Sequence, residues 1–142
     1  MVAGAVGLRP GTVPSVLIVD DDEGPREYVT DVLQFEGFQV ATLADPTRAI
    51  QRIRAEPFHL LVIDLMMPKI DGIELLAQLR AFDLHTPVIM ITGYPSIETR
   101  SEATTLGISA YLAHPITPDE LRAALALIPR KPRKPRKPRK PR

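Results

Sequence analysis

The run Leu60-Leu61-Val62-Ile63, followed at once by Asp64, constrains this chain more than any other stretch. Four consecutive apolar residues, two of them β-branched, read as a strand covered on both faces of a sheet. The run stops abruptly on a carboxylate. Pro68 and Gly72 then punctuate a loop, because proline removes a backbone donor and glycine permits positive φ. An acid at the tip of a core strand loses its hydration unless a cation or hydrogen bonds replace the water. The pattern recurs upstream, where Val16-Leu17-Ile18-Val19 runs into Asp20-Asp21-Asp22. Two buried strands ending in carboxylates point to a shared cation site where their ends meet.

Taken in order, the chain alternates strand and helix. Val16 to Asp21 forms strand one. Gly24-Pro25 opens a helix with proline near its first position, where the missing donor costs little. Tyr28, Val29, Val32, Leu33 and Phe35 give that helix an apolar stripe, and Gly37 follows as its C′ residue. Phe38 to Leu43 is strand two. Asp45-Pro46 caps a helix that turns Ala49, Ile50 and Ile53 inward and stops at Pro57. Strand three runs from Phe58 to Asp64, and Ile73, Leu75, Leu76 and Leu79 mark a third helix. Pro87 introduces strand four, Val88 to Ile91, which ends in Thr92-Gly93. Ser96 to Leu106 is a threonine-rich helix with few apolar positions, closed by Gly107, and Ala110 to Ala113 is strand five. Thr117 and Glu120 have capping-box spacing and open a last helix through Leu121, Leu125 and Ile128. Five such units, (βα)5, predict an α/β fold with a doubly wound parallel five-stranded sheet. In the flavodoxin-like order 2-1-3-4-5 the switch point lies between strands one and three, the two that end in acids.

The 142 residues suit one domain with a substantial core. Cysteine is absent, which excludes disulfides and thiol redox chemistry and suits the cytoplasm. No apolar run approaches the ~20 residues of a membrane span. Residues 1–14 lack the basic start and apolar centre of a signal peptide and read as a disordered leader. The formal charge of +1 hides an asymmetry: residues 130–142 hold nine of the eighteen Lys and Arg and no acid, leaving nine against seventeen acids elsewhere, a body at −8. The tail repeats Arg-Lys-Pro, and proline at every third position excludes helix and favours polyproline II. With nothing apolar to bury, residues 129–142 are expected to be disordered when free.

Ile18-Val19-Asp20-Asp21, Asp64 with Met67-Pro68 and Asp71-Gly72, Ile91-Thr92-Gly93, and Tyr111 near His114-Pro115 form an ordered set. The set resembles the receiver domain of response regulators (CheY-like) in two-component signal transduction, and the likeness runs over residues 15–128. It implies that Asp64 is the phosphoacceptor, attacking a donor's phosphoryl group. It implies Mg²⁺ held by Asp21, Asp64 and the main-chain carbonyl of Met66, with Asp20 assisting, usually through water. The metal would relieve repulsion between the carboxylate and the incoming phosphoryl oxygens. Thr92 matches the family's switch hydroxyl, and Tyr111 the aromatic that rotates inward when that threonine moves. The bland alternatives are acids that merely cap helices and a rim tyrosine with a wet hydroxyl.

At strand five the family carries lysine before proline, whereas this chain has His114. Imidazole is shorter than a lysine stem, and with an ordinary pKa of about 6.5 it is mostly neutral at pH 7. Phosphorylation with weaker switching and a degenerate, constitutive receiver both stay open. The resemblance also implies that the positions two after Asp64 and two after Thr92 influence phosphoryl lifetime; here they are Met66 and Tyr94, neither suited to aligning a hydrolytic water, so self-dephosphorylation is expected to be slow.

The leading expectation is a stand-alone receiver, not a classical enzyme, phosphorylated by a histidine kinase or phosphotransfer protein. It would signal to a downstream protein target through its last two helices and strand five. A second is a nucleic-acid-associated protein whose residues 130–142 contact DNA, RNA or another polyanion through phosphates. A third is a degenerate scaffold or homodimerisation module. The tail also has plainer readings: a repeat without function, a segment folded back on the −8 body, or a contact with anionic membranes. A flavin or nucleotide cradle is disfavoured by the acidic strand-one turn.

Overall fold

The computed structural model describes residues 13–128. The sequence expectations for residues 1–12 and 129–142, including the disordered leader and the basic tail, lie outside them. The element order is β1 (Ser15–Val19), α1 (Glu23–Phe35), β2 (Gln39–Leu43), a 3-10 turn (Pro46–Arg48), α2 (Ala49–Ala55), β3 (Leu60–Asp64), α3 (Gly72–Arg80), β4 (Val88–Thr92), α4 (Ile97–Leu106), β5 (Ala110–Ala113) and α5 (Pro118–Ala126). The five strands are parallel, in the order β2-β1-β3-β4-β5. The predicted flavodoxin-like topology is therefore the observed one.

Each central strand is apolar on both faces because helices cover both. Val16, Ile18, Leu60, Val62, Ile89 and Ile91 point to one layer, with Val29 and Leu33 of α1 and Leu121, Ala124 and Leu125 of α5. Leu17, Val19, Leu61, Ile63, Val88 and Met90 point to the other, with Ala49 of α2, Leu75, Leu76 and Leu79 of α3, and Ala103 of α4. The period-two alternation along each strand assigns these layers without exception.

Caps place most helix starts. The Asp71 and Ser96 side chains accept from the amides of Glu74 and Thr99. Thr117 accepts from Glu120, as the predicted capping box requires. Asp45 caps the 3-10 turn rather than α2 itself, which begins four residues later at Ala49. Three local expectations need correction. Phe35 is 78% exposed and is no part of the apolar stripe on α1. Phe38 and Phe58 are buried but precede their strands rather than lying in the ladders. Gly72 does not adopt positive φ; in that loop Lys69 does, at φ 70°, in a tight turn where Ile70 N donates to Pro68 O at 2.8 Å.

At the lower end of the sheet, opposite the strand C-termini, Arg80 closes α3. Its guanidinium donates to the carbonyls of Asp83, Thr86 and Gly107 at 2.8–3.2 Å. No helix among the described residues is long and apolar enough to cross a membrane.

Candidate functional site

A parallel sheet delivers the residue after each strand to one edge, and here that edge is acidic. Asp20 follows β1, and Asp64 is the last residue of the adjacent β3. Ligand oxygens of Asp20, Asp21 and Asp64 all lie within 4.8 Å of one another. The predicted meeting of two acid-tipped strands is thus observed. Asp20 is only 4% exposed, Asp64 is half-buried and Asp21 is open to solvent. The three border a cavity of about 220 Å³ that is also lined by Asp22, Pro25, Met66, Gly93, Tyr94 and His114.

Local hydrogen bonds hold the carboxylates in place. Asp20 Oδ1 accepts from the Asp22 amide at 2.9 Å, and Asp64 Oδ1 from the Met66 amide at 3.3 Å. Arg26, on the first turns of α1, donates to the main-chain carbonyl of Asp20 at 3.0 Å. The loop after β3 is held from both sides: Leu65 N donates to Ile91 O, and Gly72 N donates to Leu65 O, each at 2.8 Å.

Burial and crowding make this a poor place for three negative charges. Burial chiefly, then the Asp20 charge, push the Asp64 carboxyl up to about 7. Asp20 is also raised, again chiefly by burial, against the lowering influence of its hydrogen bond from Asp22. The oxygens of Asp20 and Asp64 stand within 4.8 Å of each other, so two full negative charges there repel. The donor set consists of hard oxygens with no thiol or thioether ligand required. That chemistry, together with burial and mutual repulsion that disfavour the charged carboxylates, fits Mg²⁺.

The other predicted residues fall into two shells of distance. His114 lines the cavity, in a cis His114–Pro115 peptide, and its amide donates to Thr92 O at 2.8 Å. Met66 and Tyr94 flank the mouth and are 55% and 76% exposed. Thr92 is fully buried at the end of β4 and does not line the cavity; its Oγ1 accepts from the Tyr94 amide at 3.0 Å. Tyr111 also stands back from it. Its hydroxyl meets Thr99 Oγ1 at 2.8 Å and accepts from the Ser96 amide at 3.2 Å, so it is engaged by the start of α4 rather than by water alone.

Sequence reasoning missed Arg26 and the approach of Gly72 to the acidic loop. Arg26 carried no signal, since its partner is a backbone atom. Gly72 did carry one, the Asp71-Gly72 pair shortly after Pro68, but what it marks is a close backbone approach rather than a positive φ. A Cβ at Gly72 would lie 2.6 Å from Asp64 O and 2.8 Å from Leu65 Cα.

Fold and site together define a flavodoxin-like α/β domain with a carboxylate pocket at its topological switch point. The chain belongs to the response regulator receiver domain family, whose sequence profile matches residues 16–126. It is 33% identical to the response regulator MprA of Mycobacterium ulcerans over 116 residues, which are 82% of this chain and 50% of the relative. The chain thus spans about half the length of such relatives. Among solved structures, a CheY-like receiver domain protein from Methanospirillum hungatei is 32% identical with TM-score 0.73, covering 78% of this chain and 88% of that one. The chemotaxis protein CheY4 of Vibrio cholerae is 30% identical with TM-score 0.74, covering 82% and 99%. Receiver domains are signalling proteins rather than classical enzymes. They are phosphorylated on aspartate in two-component systems, generally bind Mg²⁺ at an acidic pocket, and interact with histidine kinases and downstream effectors.

Proposed function

We propose that Asp64 is the phosphoacceptor of this receiver, loaded by a histidine kinase or phosphotransfer protein in the cytoplasm. The observation that carries this reading is the convergence of Asp20, Asp21 and Asp64 beside an open cavity, with Asp64 half-buried at the strand tip. An Asp64 carboxylate oxygen attacks phosphorus, the bond from phosphorus to the donor atom breaks, and that atom leaves with its electron pair. The product is an acyl phosphate. Asp21, Asp64 and the Met66 carbonyl would hold Mg²⁺, with Asp20 assisting. When bound, Mg²⁺ neutralises the carboxylates and screens the incoming phosphoryl oxygens.

The remaining residues position and report. Arg26 and the Asp22 amide fix Asp20, so the buried acid keeps its aim. The Thr92 hydroxyl turns from the Tyr94 amide to a phosphoryl oxygen, and Tyr111 carries the change to α4 through Thr99 and Ser96. The signalling surface is then α4, β5 and α5, read by a downstream protein. The receiver unit is residues 15–128.

The test is incubation with a small phosphodonor and Mg²⁺, read by intact mass, with Asp64→Asn as control. A gain of one phosphoryl group in the parent alone is expected. His114, standing where the family has lysine, favours a second reading, a degenerate receiver that serves as a scaffold or homodimer. No gain in the parent but a gain in His114→Lys would lay the loss of phosphorylation on the missing lysine.

A further inference from the structure

The outer face of α1 is acidic, and the one cation on that helix, Arg26, is engaged with the main-chain carbonyl of Asp20. Glu23, Glu27 and Asp31 recur at i, i+4 and i+8 and are all exposed. Like charges at that spacing repel. Among the described residues the ion pairs go to Glu36, Glu56 and Asp119, not to these three. The last turn of α1 also lacks a basic residue, although the negative end of a helix macrodipole favours one.

The rest of the chain supplies the missing sign. Residues 130–142 contain nine Lys and Arg and no acid. Their point of departure is fixed, because Ile128 is buried in the same cluster as Val29 and Leu33 of α1. Two contacts hold the helices side by side. Tyr28 on α1 donates to Ile116 O at 2.6 Å, and Arg122 on α5 pairs with Glu36, just past α1, at 2.8 Å. The basic segment therefore leaves the domain beside the C-terminal end of α1. Thirteen residues extended at ~3.1 Å each span about 40 Å. The 13 residues of α1, at ~1.5 Å each, span about 20 Å. The segment is long enough to follow the whole acidic face and reach Asp21 and Asp22 at its upper end.

We propose that residues 130–142 dock in cis on the outer face of α1, against Glu23, Glu27 and Asp31. The contact is electrostatic, independent of phosphorylation, and places cations beside the carboxylate cavity. The full chain and one ending at residue 129 are compared by amide NMR at about 0.01 M salt, where the Debye length is about 30 Å, and at about 1 M, where it is about 3 Å. At low salt, shift differences should cluster on residues 23–35 and around Asp21–Asp22, and they should vanish at high salt. The full chain carrying Glu23→Gln, Glu27→Gln and Asp31→Asn should match the truncated chain in the unsubstituted part of this region. Identical spectra at low salt would overturn the proposal, as would differences confined to another face. Tail-dependent binding to an oligonucleotide with α1 unperturbed in the free protein would overturn it in favour of a nucleic-acid contact.

Discussion

Gly72 and Asp64 are in backbone contact, so that a single methyl on Gly72 would stand 2.6 Å from the Asp64 carbonyl oxygen. The obstruction is main chain on both sides, and no side chain can swing away to relieve it. The first turn of α3 therefore sets the height of the acceptor loop.

Gly72→Ala should displace that loop and destabilise the domain by about 1–3 kcal/mol, the usual range for forcing extra volume into a packed site. Thermal unfolding gives the stability, and intact mass after phosphodonor treatment gives the site. A variant with parental stability and parental phosphoryl uptake would show that the loop is not held by this contact.

Metal-free stability should fall as pH rises from about 4 to about 7. The Asp64 carboxyl is held up at about 7 in the folded chain, against an ordinary value of 3.8, and Asp20 is raised as well. Between those values the folded state binds more protons than the unfolded one, so raising pH favours unfolding. The contribution is complete below the unfolded value and lost by about pH 7. Urea midpoints across this range in chelator should decline; Asp64→Asn should flatten the decline, and Mg²⁺ should restore stability at the alkaline end.

Tyr111→Phe should loosen the start of α4. The phenol oxygen accepts from the Ser96 amide and meets Thr99, and only Ala103 of this helix is fully buried. A lost hydrogen bond of this kind costs about 0.5–1.5 kcal/mol. Faster hydrogen exchange at Ser96 to Arg100, with little change in the β-strands, is the expected pattern.

Once phosphorylated, the protein should lose its phosphoryl group slowly. Met66 and Tyr94 flank the cavity mouth, and neither the thioether nor the bulky phenol aligns a water for attack. Following the mass of the loaded protein over time measures this directly, and decay within seconds would contradict it. Met66→Asn should shorten the lifetime.

The parts of this domain that were legible in the sequence are those fixed by local pattern. Apolar runs ending in acids gave strands and pocket together, because a parallel sheet must bring β1 and β3 tips to one place. Thr117 and Glu120 announced α5 through a cap that spans only three residues. What stayed hidden depends on partners far along the chain. Phe35 follows Val32 at helical spacing, yet it turns to solvent while Leu33 and Glu36 on either side of it are buried. Tyr111 could not be separated from a solvated rim tyrosine until α4 was placed beside it. Lys69 holds a backbone conformation that its own side chain disfavours, set by the closure of the loop around it.

Arg80 ties the loop after α3 to the loop after α4, whose carbonyl partners Thr86 and Gly107 lie about twenty residues apart in the chain. Those two surface segments have one donor between them and behave as a single unit of inheritance. A change in either is felt by the other, so substitutions tolerated singly in each will not add when combined. Replacing Arg80 would leave the Thr86 and Gly107 carbonyls to find new donors together.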